Sequence, residues 1–248
     1  MRYETAEISL VGHREQNQDR VAVVRNESTA FLIVVDGMGG HAQGERAAVV
    51  ARESFIRSFD EASGDVADPQ LFISEAISRA HDAVSAIGEG RSVEHKPRAT
   101  CAICLVIGSD AWWGHVGDSR VYVLRDGMVL NRTRDHSHVE LLLREGLISE
   151  DEIPGHPMRH YVECCLGGES ALPRADSDAT AKNFRAGDTL LVCSDGLWSG
   201  VSDDVIGETS RTTADVSAWL DTLSENAVTA NAPYSDNTSA AALRFIVD

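Results

Sequence analysis

Ala99-Thr-Cys-Ala-Ile-Cys-Leu-Val-Ile107, Gly108-Ser-Asp110, Ala111-Trp-Trp-Gly-His-Val116: an apolar run, a turn, and a second apolar run. This stretch reads as a β-hairpin, because Val, Ile, Trp and Cys suit strands and Gly-Ser-Asp suits a turn. Residues 119–124 continue the pattern into Asp126-Gly127, the dipeptide of a tight hairpin. Hairpins that follow one another without a helix between them must pair antiparallel, so this part of the chain is a meander. Towards the N-terminus, residues 5–10, 21–25 and 31–35 read as strands rich in Val and Ile. Two helices follow. Residues 44–59 repeat Ala48, Ala51, Phe55 and Phe59 on one face, and residues 69–87 carry a stripe of Leu71, Ile73, Ala76, Ile77, Ala80 and Val84. Towards the C-terminus, strands at 189–193 and 239–247 enclose helices near 203–209 and 214–226. Strand runs around helix pairs, without steady βαβ alternation, indicate an α+β fold with mostly antiparallel sheets. Residues 133–169 differ in character: a short amphipathic helix, Gly146, an acidic cluster and Pro154-Gly155-His156-Pro157 read as a surface flap.

The 248 residues suffice for one domain with a sizeable core, and no repeat or linker divides 1–248. The 43% hydrophobic and 25% charged shares are those of a globular chain. A formal charge of −17 argues against nucleic acid and against docking on anionic membranes, since both are held by clustered cations. The longest apolar run, 101–107, is too short to span a bilayer, and the N-terminus lacks the apolar core of a secretory signal. These features predict a cytoplasmic protein with no membrane insertion. Cys101 and Cys104 form a CxxC within a predicted strand, where positions three apart face opposite ways, so buried thiols fit better than a zinc site.

The chemistry is concentrated in aspartates at predicted strand ends, mostly beside Gly or Asn. Asp36 closes an apolar strand and opens Gly37-Met38-Gly39-Gly40-His41; Asp195 does the same before Gly196-Leu197-Trp198. Asp118 lies in Gly117-Asp118-Ser119-Arg120, Asp19 in Asn17-Gln18-Asp19, and Asp236 precedes Asn237. One Asp-Gly after a strand is an ordinary turn. Five such sites, if they meet, would repel one another unless divalent cations sat between them. All-oxygen ligation suits Mg²⁺ or Mn²⁺ rather than zinc. Arg14 offers a planar fork that can hold phosphate beside such ions.

The ordered set Arg14-x-x-Asn17-Gln18-Asp19, Asp36-Gly37-Met38-Gly39-Gly40, Gly117-Asp118-Ser119-Arg120, Ser194-Asp195-Gly196-Leu197-Trp198 and Asp236-Asn237 resembles the PP2C-like, metal-dependent protein serine/threonine phosphatases, in their bacterial branch. The resemblance covers essentially the whole chain. It implies a four-layer αββα sandwich, two mainly antiparallel sheets flanked by helix pairs, with a flap at about 133–169. It implies two Mn²⁺ or Mg²⁺ ions: Asp36 bridging both, Asp195 and Asp236 completing the first ion's ligands, and the Gly37 carbonyl serving the second. Asp118 with Asp195 resembles a third metal site. Asp19 resembles the residue that holds metal-bound water, with Gln18 nearby, and Arg14 the phosphate-binding arginine. The implied reaction is hydrolysis of phosphoserine or phosphothreonine in proteins by direct attack of a metal-bridging hydroxide. The implied partners are phosphoproteins made by a cognate Ser/Thr kinase, met by a monomeric, bare catalytic domain. A different two-metal hydrolase, such as a nuclease, fits the carboxylates but lacks a basic groove.

Two departures stand out. Met38 occupies the place where many eukaryotic relatives carry a histidine proposed as general acid, and a thioether cannot donate a proton; His41 is a candidate substitute by position, against the more common structural role of a loop histidine. In the flap, His160-Tyr161-Val162-Glu163-Cys164-Cys165-Leu166-Gly167 stands where relatives often show Asn, then Thr-Arg, before Leu-Gly.

Overall fold

The hairpin read from residues 99–116 lies inside one of two sheets. The computed structural model describes residues 2–26, 28–38, 42–62, 66–153, 155–168, 180–181 and 183–246. In chain order these form β1 (Arg2–Leu10), β2 (Asp19–Arg25), β3 (Thr29–Met38), α1 (Ala42–Glu61), α2 (Pro69–Ile87), β4 (Arg98–Ile107), β5 (Asp110–Val116), β6 (Arg120–Arg125), β7 (Met128–Arg132), α3 (His138–Arg144), β8 (Leu166–Gly167), β9 (Thr180–Ala181), β10 (Thr189–Cys193), α4 (Asp195–Trp198), α5 (Asp203–Thr212), α6 (Val216–Ala230) and β11 (Thr238–Ile246). One sheet has the order β1-β11-β10-β6-β7, the other β2-β3-β4-β5-β9, with β8 added beside β4. Neighbouring strands in both pair antiparallel.

Strand alternation divides the interior into three apolar layers. Phe31, Ile33, Cys101, Ile103 and Leu105 face α1 and α2, meeting Ala51, Phe55, Ile73 and Ile77. Their neighbours Leu32, Val34, Ala102, Cys104 and Val106 face the other sheet, against Val121, Leu190, Val192 and Phe245. The far side of that sheet, with Tyr122, Leu191, Cys193 and Ala242, packs on Ile206, Trp219 and Leu223 of α5 and α6. The layers are therefore helix, sheet, sheet, helix. Both faces of β3, β4 and β10 are covered, which is why these antiparallel strands read as continuous apolar runs rather than alternating ones. Cys101 and Cys104 belong to different layers, and the five cysteines are free thiols.

Three expectations need correcting. β3 does not stop before Asp36 but runs on through Gly37 to Met38, because β4 continues to pair with it, Asp36 opposite Thr100 and Met38 opposite Arg98. Leu71 is 54% exposed; Phe72 packs inward instead, meeting Phe31 edge-on at 5.5 Å. Residues 166–167 belong to the sheet beside β4, so the segment over the site returns to the core earlier than 169. Among the described residues no helix is long and apolar enough to cross a membrane.

Candidate active site

Strand register delivers the carboxylates to one end of the sandwich. Asp19 begins β2 directly opposite Asp36 on β3. Asp118 stands in the turn between β5 and β6, Asp195 opens α4 just after β10, and Asp236 lies just before β11. Asp36, Gly37, Asp118, Asp195 and Asp236 line one cleft of about 540 Å³, with Arg14 and Gln18 on its wall. Asp19 lies beneath rather than in the wall. It is 2% exposed, its Oδ2 accepts a hydrogen bond from Ser194 Oγ at 2.8 Å, and its Oδ1 has no hydrogen-bond partner. Ser194 Oγ in turn accepts from the Ser239 N–H, tying β10, β11 and β2 together at this point.

The loop carrying Arg14 is fastened to the residues before β11. Gly12, at φ 61°, lies so close to the Asp236 carbonyl that a Cβ there would approach it to 2.2 Å, so no side chain fits. His13 donates through its N–H to the Ser235 carbonyl, and its ring Nδ1 meets Ser235 Oγ at 2.7 Å. Asn237 uses its whole amide: Oδ1 accepts from the Gln18 N–H, and Nδ2 donates to the Val11 and Gln16 carbonyls. With the loop so placed, Arg14 Nη2 donates to Asp236 Oδ2 at 2.7 Å. Gly37 is equally cramped: a Cβ on it would come within 2.1 Å of the Gly44 carbonyl.

Burial and mutual repulsion govern the electrostatics. Burial first, then Asp19, Asp195, Asp118 and Asp236, hold the Asp36 carboxyl well above its ordinary range. Asp195 is raised in the same way, by burial and then by Asp118 and Asp236. Burial pushes Asp19 and Asp118 up to about 6, against hydrogen bonds from Ser194 and Ser239 in the first case and with Asp135 adding repulsion in the second. Behind Asp118 stands a rigid support. The Trp198 Nε1–H donates to the Asp118 carbonyl at 2.9 Å, the Arg120 Cζ lies 3.5 Å from the Trp198 ring centroid, and Asp135 grips Arg120 through two hydrogen bonds of 2.7 Å.

This donor set fits hard divalent cations: it is all oxygen, crowded with like charge, and includes an orphaned buried carboxylate oxygen on Asp19. Among the described residues, however, no three acidic, histidine or cysteine groups are gathered tightly enough to hold an ion as they stand. The aspartates meet at one cleft, but not as a finished cage.

The family model described as Protein phosphatase 2C matches residues 11–235. The chain belongs to the protein phosphatase 2C family. It is 34% identical over 211 residues to the serine/threonine protein phosphatase PstP of Mycobacterium tuberculosis, a match covering 82% of this chain and 40% of that protein. The chain thus spans well under half the length of that relative. A crystal structure of M. tuberculosis PstP/Ppp superposes with a TM-score of 0.84 at 30% identity over 99% of both chains. The PstP catalytic domain in complex with two manganese ions matches at a TM-score of 0.79, 29% identity and 99% of both chains. In this member of the protein phosphatase 2C family Met38 lines the cleft, while His41, with Gly39 and Gly40, lies outside the described residues. His160 lines the cleft as well, and the half-buried Cys164 packs against the helix-side core beside buried Cys165.

Four contributors escape sequence reasoning. Ser194 and Asn237 stand within the motifs, yet only the hydrogen bonds show what they hold. Asp135 lies 15 residues from Arg120 with no periodicity to link them. His160 shows in sequence only as a departure in the flap, without a place in the site.

Proposed function

We propose that this chain hydrolyses phosphoserine and phosphothreonine in proteins, using two Mn²⁺ or Mg²⁺ ions and a third near Asp118. The observation that carries the reading is the common cleft of Asp36, Asp118, Asp195 and Asp236 beside Arg14, in which burial and mutual repulsion raise the carboxyls of Asp36, Asp118 and Asp195. Asp36, Asp195, Asp236 and the Gly37 carbonyl would hold the two ions, and Asp118 with Asp195 the third. The two-manganese complex of the related PstP domain supports that choice. Such ions, when bound, lower the pKa of water and neutralise charge on phosphate oxygens.

The chain's own residues supply orientation. Arg14 presents two parallel donors to equatorial phosphate oxygens once it leaves Asp236. By family resemblance Asp19 would hold metal-bound water through a hydrogen bond, and Ser194 donates to its Oδ2. The water oxygen bonds to phosphorus as the water gives up one proton, the ester bond breaks on the opposite side, and the Ser or Thr oxygen takes up one proton, so the two transfers balance. Met38 has no proton to give, so that proton comes from elsewhere than in relatives with histidine there. We read residues 1–248 as one catalytic unit with a flap at about 133–169, of which Leu166 and Gly167 have already rejoined the sheet beside β4. It acts as a cytoplasmic monomer on phosphoproteins made by a partner Ser/Thr kinase.

The test is phosphate release from a phosphothreonine peptide with Mn²⁺. We expect turnover that EDTA abolishes and excess Mn²⁺ restores. Absence of release at saturating Mn²⁺ would refute the reading.

A further inference from the structure

A second concavity, of about 910 Å³, opens off the cleft and shares Arg14, His160, Asp195 and Asp236 with it. One wall is α3 and the segment after it, the other is α4, the start of α5 and the turn that carries Tyr234. Its charges are largely matched within the protein: Arg120 by Asp135 at 2.7 Å, Arg132 by Asp203 at 3.3 Å, and Glu140 by Arg134 at 3.3 Å. Matched charges discriminate weakly between partners, because a ligand charge must displace an existing partner. Val139 is buried and the Trp198 ring lies under the Arg120 guanidinium, which leaves Leu143, Ile153 and Tyr234 as the apolar surfaces that select. Tyr234 is 87% exposed, a large ring standing at the groove with little of its own protein against it. At the junction with the cleft, the Arg159 Nε–H donates to His160 Nε2 at 2.7 Å, which fixes the imidazole proton on Nδ1 and makes that atom a donor.

We propose that this groove is the track for the substrate polypeptide flanking the phosphorylated residue, and that it selects an apolar side chain near that residue. Continuity decides the occupant. A phosphoserine or phosphothreonine seated in the cleft must send its chain outward, and the groove begins at the same residues that end the cleft. The inference rests on the phosphatase reading above and adds the class of substrate sequence.

The experiment compares kcat/KM, with Mn²⁺, for p-nitrophenyl phosphate and for phosphothreonine peptides carrying Leu or Ser at each neighbouring position in turn. Leu at one position on one side should raise kcat/KM by roughly tenfold, the effect of burying part of an apolar side chain. Tyr234→Ala and Leu143→Ser should each erase that preference and leave p-nitrophenyl phosphate turnover unchanged. Equal activity on all peptides, or variants that lower both substrates alike, would overturn the proposal. So would a change of oligomeric state in Tyr234→Ala, which would assign the groove to a second copy of the chain. Absence of turnover by the unaltered protein on p-nitrophenyl phosphate and on every phosphopeptide would overturn the phosphatase reading, and this inference with it.

Discussion

Asp118 shows at the scale of one residue what the site costs the fold. Its folded pKa, about 6, lies above the unfolded value of 3.8, so the folded state binds more protons between these values. Its contribution to stability is therefore fully present below about pH 4 and lost as pH rises through about 6. Asp118→Asn mimics the protonated form, so without metal it should melt higher than the unaltered protein at pH 7.5, by about 2–4 °C for each kcal/mol relieved. The gap should close near pH 4; calorimetry at both pH values checks this, and a variant that melts lower at neutral pH would contradict it. Arg14 works in the opposite sense. It neutralises Asp236 through an exposed pair, worth up to about 1 kcal/mol after solvent screening. Arg14→Ala should thus tighten Mn²⁺ binding by about two- to fivefold in a calorimetric titration, while raising KM for phosphopeptide. Weaker Mn²⁺ binding would mean that Arg14 does not compete with the ion.

Among the elements, the loop between β1 and β2 depends on a single amide. Asn237 closes three hydrogen bonds to it, so Asn237→Ala should cost about 2–4 kcal/mol in urea unfolding. It should also slacken Arg14, which the same loop carries; a loss below measurement would show that water replaces the amide. Residue patterns anticipated the elements where one physical signal dominates. The stripe Ile73, Ala76, Ile77, Ala80 and Val84 is buried as its spacing requires. The same stripe misplaced Leu71, because at the start of a helix the neighbouring chain decides which side is inside, and Phe72 reaches the Phe31 ring first. β3 was read short because Asp36 and Gly37 look like a turn. What extends it is pairing with β4, a contact between residues 60 to 64 apart that no local pattern carries. The aspartates were legible because each sits at a strand end in its own motif. Their support was not: the bonds of Ser194 to Asp19 and of Trp198 to Asp118 join segments 175 and 80 residues apart.

For the whole molecule, the difficulty is charge. A chain of net charge −17 gathers four aspartates around the cleft proposed to take a phosphate dianion, with Arg14 turned onto one of them. Divalent ions, when bound, would reverse the local sign and compete with Arg14 for Asp236, so ion and phosphate should bind in order rather than independently. Mn²⁺ at a hundred times its dissociation constant should stabilise the fold by about 2.7 kcal/mol, a rise of roughly 5–11 °C in Tm. Inorganic phosphate alone should leave Tm unchanged, yet add a further rise once Mn²⁺ is present. Asp36→Asn, which removes the carboxylate proposed to bridge the two ions, should lose most of the Mn²⁺ response and with it the phosphate response. A phosphate shift without metal, or one that survives in Asp36→Asn, would show that the anion is held by the protein alone and that the acidic cleft has another purpose.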